Sequence, residues 1–504
     1  MDYLFETKNL SEVACDMLVE GVWQGENLSL GSYLQSNLRQ AVINELERRK
    51  YKGKEGELVV LPLLGHPSIK HLLIAGLGEK RGRRSDRVRT LAAKIIKSAH
   101  AAQISNIVIH PGLITAMKDK DRDIQAFVEG VELASYQFSS FRKHTAEEES
   151  KKKTVNSIIF LIAGKKLKNI LQKGIERGLL FSSATILARD MVNTPSMRMH
   201  PEEMANIAKS LADRNSSITC KIRGLKEMQD LGMLASLAVG QGSVHEPKFV
   251  HLFYKPKKAN KNTKRIALVG KAVTFDSGGL NLKPESGMID MKIDMAGAAA
   301  VLGVFKALPD LCPNIEVHGL FIAVENMPSG SAYRPGDVVS AMDGTTIEVE
   351  NTDAEGRITL ADALAYAALE IKPDAIIDLA TLTGAVIVAL GSDISGLLGN
   401  NDKLKQEILS ASKLAGEPIW ELPMYHAYSE LIKSKIADVK NVGGRPGGVI
   451  TAALFLEKFI HDVPWAHLDI AGPSYVEKET RAECPIGGTG WGVRTLLEYL
   501  WNNQ

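Results

Sequence analysis

Two stretches of the chain are dense in residues that do chemistry. In Asn351–Leu360 (NTDAEGRITL), Asp353, Glu355 and Arg357 occupy alternate positions behind the strand-like run Thr345–Glu350 (TTIEVE). In extended chain, alternate side chains point the same way, so this segment is expected to aim two carboxylates and a guanidinium at one spot. Crowded carboxylates repel, and water or a bound cation must offset that repulsion. Taken alone, D-x-E-x-R also fits a solvated turn.

The second stretch is Val269–Ala296. An apolar strand, Ile266–Gly270, runs into Lys271, and Asp276, a Ser277-Gly278-Gly279 turn, Lys283 and Asp294 follow before an alanine-rich helix. Acids placed just past the carboxyl end of a buried strand build a ligand site at the sheet's edge. Lys271 by itself also reads as a salt-bridge partner of Asp276. Asp276, Asp294, Asp353 and Glu355 together carry four negative charges. That suits two divalent cations bridged by shared carboxylates, about 3.5–4 Å apart. Oxygen-rich ligation favours Mn²⁺ or Mg²⁺, with Zn²⁺ compatible. Histidine metal sites are set aside, since the twelve histidines form no H-E-x-x-H. No G-x-S-x-G elbow marks serine chemistry.

The elements that must hold these residues alternate between strands and helices. At 504 residues the chain exceeds the ~250–300 at which one core stops growing, so two domains are expected. Residues 1–165 read as an N-terminal α/β domain, with strands Leu58–Leu64, Leu72–Gly76, Ile107–His110 and Ile158–Ala163 and a helix Val88–Ala102. A connecting helix is expected over 166–192, ended by Asn193-Thr194-Pro195. Residues 193–504 form the larger domain. Its expected strands include Ile218–Ile222, Phe249–Tyr254, Val317–Val324, Ala375–Leu379 and Ala466–Ile470. A helix is expected to begin near Thr359, with Arg357 beside its anion-friendly N-terminus. Strands separated by helices argue a mixed, largely parallel sheet covered by helices. The fold class is therefore α/β, a smaller N-terminal domain plus a larger C-terminal one that carries both acid-rich stretches.

Composition narrows the partners. Hydrophobic content of 45%, charged content of 24% and a net charge of +2 describe an ordinary globular protein without steering toward nucleic acid or membrane. The basic stretch Glu79–Arg89 lacks interleaved aromatics and reads as a solvated helix start. Glu147–Lys153 (EEESKKK) reads as an exposed loop of cancelling charge. Gly240 and Gly242 complete no phosphate-binding motif and read as a tight turn. Four scattered cysteines without C-x-x-C fit a reducing cytoplasm. The first residues lack the pattern of a signal peptide, and no apolar run approaches the ~20 residues of a membrane helix.

Lys271, Asp276, Lys283, Asp294, Asp353, Glu355 and Arg357, with NTDAEGR nearly verbatim and ARDMVNTP (Ala188–Pro195) upstream, closely resemble the leucyl (cytosol) aminopeptidase family of dinuclear metallopeptidases. The likeness covers essentially the C-terminal two-thirds. Departures are small: Ala272 where glycine is usual, Ile358 where leucine is usual, and Ser474 where some relatives carry an apolar residue. The resemblance implies that one metal takes Asp276, Asp353 (side chain and carbonyl) and Glu355, and the second takes Lys271, Asp276, Asp294 and Glu355. A ligating lysine must be neutral, and a dication can displace its proton. Lys283 is implied as the electrophile, and Arg357 as the holder of a bicarbonate general base. Met291, Thr381, Gly384 and Ala471 match positions lining the family's side-chain pocket. Also implied are peptide substrates with neutral, leucyl-type first residues, and a cytoplasmic homohexamer, a dimer of trimers with sites facing an inner cavity. A two-metal phosphoesterase would normally recruit more cations than Lys283 and Arg357. A binding module for nucleotides or nucleic acid would need a completed phosphate loop.

Overall fold

Two sheets organise the chain. The computed structural model describes residues 1–26, 30, 33–80, 85–143 and 155–503. The run Glu147–Lys153 and residues 81–84 of the basic stretch lie outside the described residues. There are two compact units, Met1–Ser182 with Glu479–Pro485, and Ser183–Lys478 with Ile486–Gln504. The division falls inside one 29-residue helix, Lys165–Asn193.

In the first unit β1 (Asp2–Glu6), β2 (Cys15–Val22), β3 (Leu58–Pro62), β4 (Ile69–Gly76), β5 (Asn106–Ile109) and β6 (Ser157–Leu161) form one sheet, ordered β1-β6-β5-β2-β4-β3. Neighbours run parallel except β3 on β4. Helix Ser85–Ala101 packs against helix Lys120–Ser135, which starts where the Asp119 carboxylate accepts a hydrogen bond from the Arg122 N–H. The sequence reading does not contain β1, β2 or helix Lys120–Ser135. In β2, CDMLVEGV, Asp16 and Glu20 break the apolar run, yet Glu20 is buried because the Tyr33 hydroxyl donates to it. Such a partner 13 residues away leaves no local pattern.

The second unit contains β7 (Ile218–Arg223), β8 (Lys248–Tyr254), β9 (Arg265–Gly270), β10 (Ala272–Asp276), β11 (Glu316–Asn326), β12 (Val338–Ser340), β13 (Thr346–Glu348), β14 (Ala375–Ala380), β15 (Ser395–Gly399), β16 (Ile419–Glu421), β17 (Val439–Lys440) and β18 (Trp465–Asp469). Nine of these make a sheet ordered β16-β15-β18-β14-β9-β11-β8-β7, with β10 continuing along β11. The middle strands β18, β14, β9 and β11 are parallel, and antiparallel neighbours flank them. A small sheet of β12, β13 and β17 stands apart. Among the described residues no helix is long and apolar enough to cross a membrane.

Two helices cover the middle strands. Helix Glu355–Tyr366 packs in the core formed by Ala267, Val269, Leu320 and Ile322. Helix Ala296–Leu311 lies close against β9 and β14: a Cβ at Gly297 would stand 2.0 Å from the Leu379 carbonyl oxygen. That approach requires glycine, and it brings Asp294, two residues before the helix, onto the sheet edge. β11 is long enough to pair first with β9 and then with β10, whose register slips between Val273 and Phe275. Lys271 sits at the jog between β9 and β10 and donates its N–H to Leu379 O at 3.0 Å.

Candidate metal centre

The chemistry-bearing residues gather where parallel strands end. Lys271 follows β9, Asp276 ends β10, Asn326 ends β11, Thr381 follows β14 and Ala471 follows β18. The carboxyl edge of a parallel sheet is where α/β folds place ligands. Asp276, Asp353 and Glu355 each present an oxygen there, and the three atoms lie within 4.8 Å of one another.

Turns carry out the convergence. Gly278 and Gly279 adopt φ of +85° and +63°, a region that favours glycine. The turn lets Lys283 N–H donate to Ser277 O at 2.9 Å. Lys283 thereby returns over the acids, with Nζ 2.8 Å from Asp276 Oδ2 and also against Asp353 Oδ1. Thr352 bolts a second turn to the first. Its hydroxyl donates to Gly278 O at 2.6 Å, and its N–H donates to Asn281 Oδ1 at 2.8 Å.

The extended reading of Asn351–Leu360 is corrected here. Glu355 is the first residue of a helix, not part of a strand, and the helix starts four residues before Thr359. Asp353 belongs to the preceding turn, where its N–H donates to Asn351 Oδ1 at 2.9 Å. Asn441 holds that turn from outside, donating to Asn351 O at 2.6 Å and accepting from Glu350 N–H at 2.9 Å. Turn and helix start, rather than strand alternation, bring Asp353 and Glu355 together.

The Lys271 ammonium is fully enclosed. It lies 2.7 Å from Asp294 Oδ1, 2.9 Å from Glu355 Oε1 and 2.9 Å from Thr381 O. Its ion-pair partners are thus Asp294 and Glu355 rather than Asp276. Burial works against the Lys271 charge, but Asp294, Glu355 and Asp276 hold its pKa above the ordinary value. Lys283 is raised likewise, by Asp276 and Glu355 against burial. Burial also pushes the carboxyls of Asp276, Asp294 and Asp353 upward, with Glu355 adding repulsion at the first two. Burial raises the carboxyls, and the crowded carboxylates hold the two ammonium groups charged against it. Asp294 Oδ2 is buried without a hydrogen-bond partner. Protons and lysines neutralise this cluster incompletely, and an oxygen-rich, over-acidic donor set fits divalent cations.

Arg357 lies in the first helical turn, buried, and donates from Nη1 to Asn441 O at 2.8 Å. Its Nε has no hydrogen-bond partner. Burial lowers its pKa to about 10 against the pull of Glu355 and Asp469. Met291 opens the short turn Met291–Ile293, which packs against β10. Gly384 is the exposed first residue of helix Gly384–Leu390. Thr381 turns its hydroxyl to Asp294 Oδ1 at 2.7 Å, and Ala471 donates its N–H to Asp469 Oδ1 at 3.2 Å.

Several supporting residues escape the sequence reading. Asn326, wholly buried, donates from Nδ2 to Asp276 Oδ1 at 2.8 Å and to Thr352 O at 3.0 Å. The Tyr333 hydroxyl donates to the same carbonyl at 2.8 Å. One signal for Asn326 was available: it ends an apolar strand at the carboxyl edge, as Asp276 does.

Residues 186–497 match the cytosol aminopeptidase family, catalytic domain, and residues 19–145 match that family's N-terminal domain. A probable cytosol aminopeptidase of Aquifex aeolicus is 44% identical over 457 residues, covering 90% of this chain and 89% of the relative. A mutant of tomato leucine aminopeptidase aligns with a TM-score of 0.86 at 34% identity, over 100% of this chain and 97% of its own. The bottromycin maturation enzyme BotP, solved in complex with Mn, aligns with a TM-score of 0.84 at 34% identity, over 97% and 99%. A carboxylate-rich centre on this fold, with both domains matched, makes the chain a member of the cytosol (leucyl) aminopeptidase family of metallo-hydrolases.

Proposed function

We propose that this chain removes neutral, leucyl-type residues from the N-termini of peptides, using two divalent cations held at the carboxyl edge of the sheet. The observation that carries this reading is the convergence of Asp276, Asp353 and Glu355 beside the enclosed Lys271–Asp294 pair. Asp276, Asp353 and Glu355 would hold one ion, and Lys271, Asp276, Asp294 and Glu355 the other, Lys271 serving as a ligand only in its neutral form. Mn²⁺ is the favoured ion, supported by BotP solved with Mn, and Zn²⁺ is compatible. When bound, such cations lower the pKa of water and polarise a carbonyl oxygen.

The chain's own residues do the rest. Lys283 keeps an ammonium at the mouth of the acid cluster, positioned to donate to a carbonyl oxygen as it gains negative charge. Arg357, with Nη1 committed to Asn441 and Nε without a hydrogen-bond partner, would hold a bicarbonate suited to general-base work. Met291, Thr381, Gly384 and Ala471 border the pocket for the first side chain. Residues 193–504 constitute the catalytic part and 1–165 the N-terminal domain, joined through 166–192. The assembly is a homohexamer acting in the cytosol on free peptides, and its role is peptide turnover.

The test is hydrolysis of a leucyl amide by the purified chain with added Mn²⁺, abolished by chelator and restored by metal. Turnover of a phosphoester under the same conditions, with the amide untouched, would replace this reading with a phosphoesterase.

A further inference from the structure

We propose that Asp469 is a positioning residue for the Lys271–Asp294 end of the metal centre and that it acts through Thr381. The proposal rests on the two-cation reading above. Asp469 ends β18, fully buried, and its carboxylate hydrogen-bonds to Leu382, Thr383 and Ala471 rather than to any expected metal ligand. Its Oδ1 accepts the N–H groups of Leu382 and Ala471, each at 3.2 Å, and its Oδ2 accepts the Thr383 hydroxyl at 2.7 Å. Thr383 Oγ1 in turn accepts the Val386 N–H at 3.1 Å, capping helix Gly384–Leu390. One carboxylate therefore fixes two consecutive residues of the Ala380–Ala385 segment and the turn after its own strand.

Thr381 is the next residue back. Its carbonyl accepts from Lys271 Nζ at 2.9 Å, and its hydroxyl donates to Asp294 Oδ1 at 2.7 Å. Two of the four groups expected to take one ion are thus oriented by a single threonine, and the residues that follow it are moored to Asp469. A buried carboxylate is costly unless hydrogen-bond donors satisfy it. Here burial pushes the Asp469 carboxyl upward, and three donors, two on the Ala380–Ala385 segment and one on the turn after β18, offset that cost. Partners that orient metal ligands typically change metal affinity by about 10–100-fold when removed.

Mn²⁺ is titrated into the metal-free full chain, bound ions are counted, and unfolding of the metal-free protein is followed. The parent chain should take two ions. Asp469→Ala should weaken one of them about 10–100-fold and leave the other within a few-fold. Asp469→Asn keeps an oxygen for the Leu382 and Ala471 N–H groups and should recover most of the loss. Thr381→Val removes only the hydroxyl aimed at Asp294 and should weaken the same ion, and Thr381→Ser should restore it. Because the two residues act in series, the double variant should bind no more weakly than the weaker single one. Thr381→Val leaves the Asp469 tethers in place, so it decides the matter where Asp469→Ala does not fold. A folded Asp469→Ala or Thr381→Val protein that binds both ions like the parent overturns the proposal, even if its metal-free form melts earlier. So do losses that multiply in the double variant. A parent chain that takes up no Mn²⁺ overturns the two-cation reading itself, and the proposal with it.

Discussion

Lys271 runs across Gly356 with no room for a side chain between them: a Cβ at Gly356 would lie 2.3 Å from Lys271 Cε and 2.6 Å from Nζ. Gly356 is the second residue of a helix, where alanine would ordinarily be favoured by about 1 kcal/mol. Helix propensity and site geometry therefore make opposite demands, and geometry decides. Gly356→Ala should displace Lys271 from Asp294 and Glu355, lower bound metal from two ions toward one, and reduce turnover on the order of 10²-fold. Metal counting and amide hydrolysis on the folded variant check this. Full loading and full turnover would mean that Lys271 has another route.

Shared and unshared carboxylates should respond differently to deletion. Asp276→Ala or Glu355→Ala is expected to lower occupancy of both ions, whereas Asp294→Ala should affect mainly one. Two tightly held ions per chain in Glu355→Ala would sink the shared-ligand assignment.

Lys283 pairs with Asp276 and Asp353, yet in the proposed reaction its charge matters most where a carbonyl oxygen turns negative. Lys283→Ala should keep both ions and lose about 10²–10³ in turnover, with a much smaller change in substrate binding. Arg357→Ala should lose less, toward the low end of the ~10²–10⁴ of general-base catalysis. If metal loading falls in step with turnover, both residues merely neutralise the cluster.

A buried acid away from the site sets a pH dependence of folding. Asp362 accepts the N–H groups of Ser236 and Met342 at 2.8 Å each, and burial raises its carboxyl to about 7. A raised folded pKa stabilises below the unfolded value and loses that contribution as pH climbs to the folded one. Between about pH 4 and 7 this group should therefore cost the fold up to about 4 kcal/mol of stability. Denaturant unfolding of the metal-free protein at pH 5 and pH 8 measures the slope. Asp362→Asn should reduce it by this group's share, the upward-pushed carboxyls of Asp276, Asp294, Asp353 and Asp469 supplying the rest in the metal-free chain, and an unchanged slope would assign the titration elsewhere.

Much of the centre was legible because its chemistry is local. Lys271, Asp276 and Lys283 sit on a strand end and a glycine turn, and NTDAEGR concentrates two acids and an arginine in seven residues. The backbone that presents those acids was not legible. The turn at Asp353 exists because Thr352 is held by Asn281, 71 residues away, and Asn351 by Asn441, 90 away. Nothing within NTDAEGR announces either partner, so period-two alternation looked sufficient. The end of β9 at Gly270 was legible, but β10 was not: only the length of β11, which pairs with both, and the Lys271–Leu379 hydrogen bond show that Ala272–Asp276 resumes as a strand after a jog. Asn326 and Asp469 read as ordinary strand ends until their hydrogen bonds are seen.

The position of β18 has a consequence for how the protein is made. It lies between β14 and β15 although it is synthesised after both. Until residues 465–469 leave the ribosome, β14 and β15 each present a bare edge to solvent, and bare apolar edges pair readily with the wrong chain. Asp469 arrives on that same strand, so the loop beside Lys271 gains its mooring only as the sheet closes. One late segment therefore completes both the middle of the sheet and the mooring of the loop that carries Thr381.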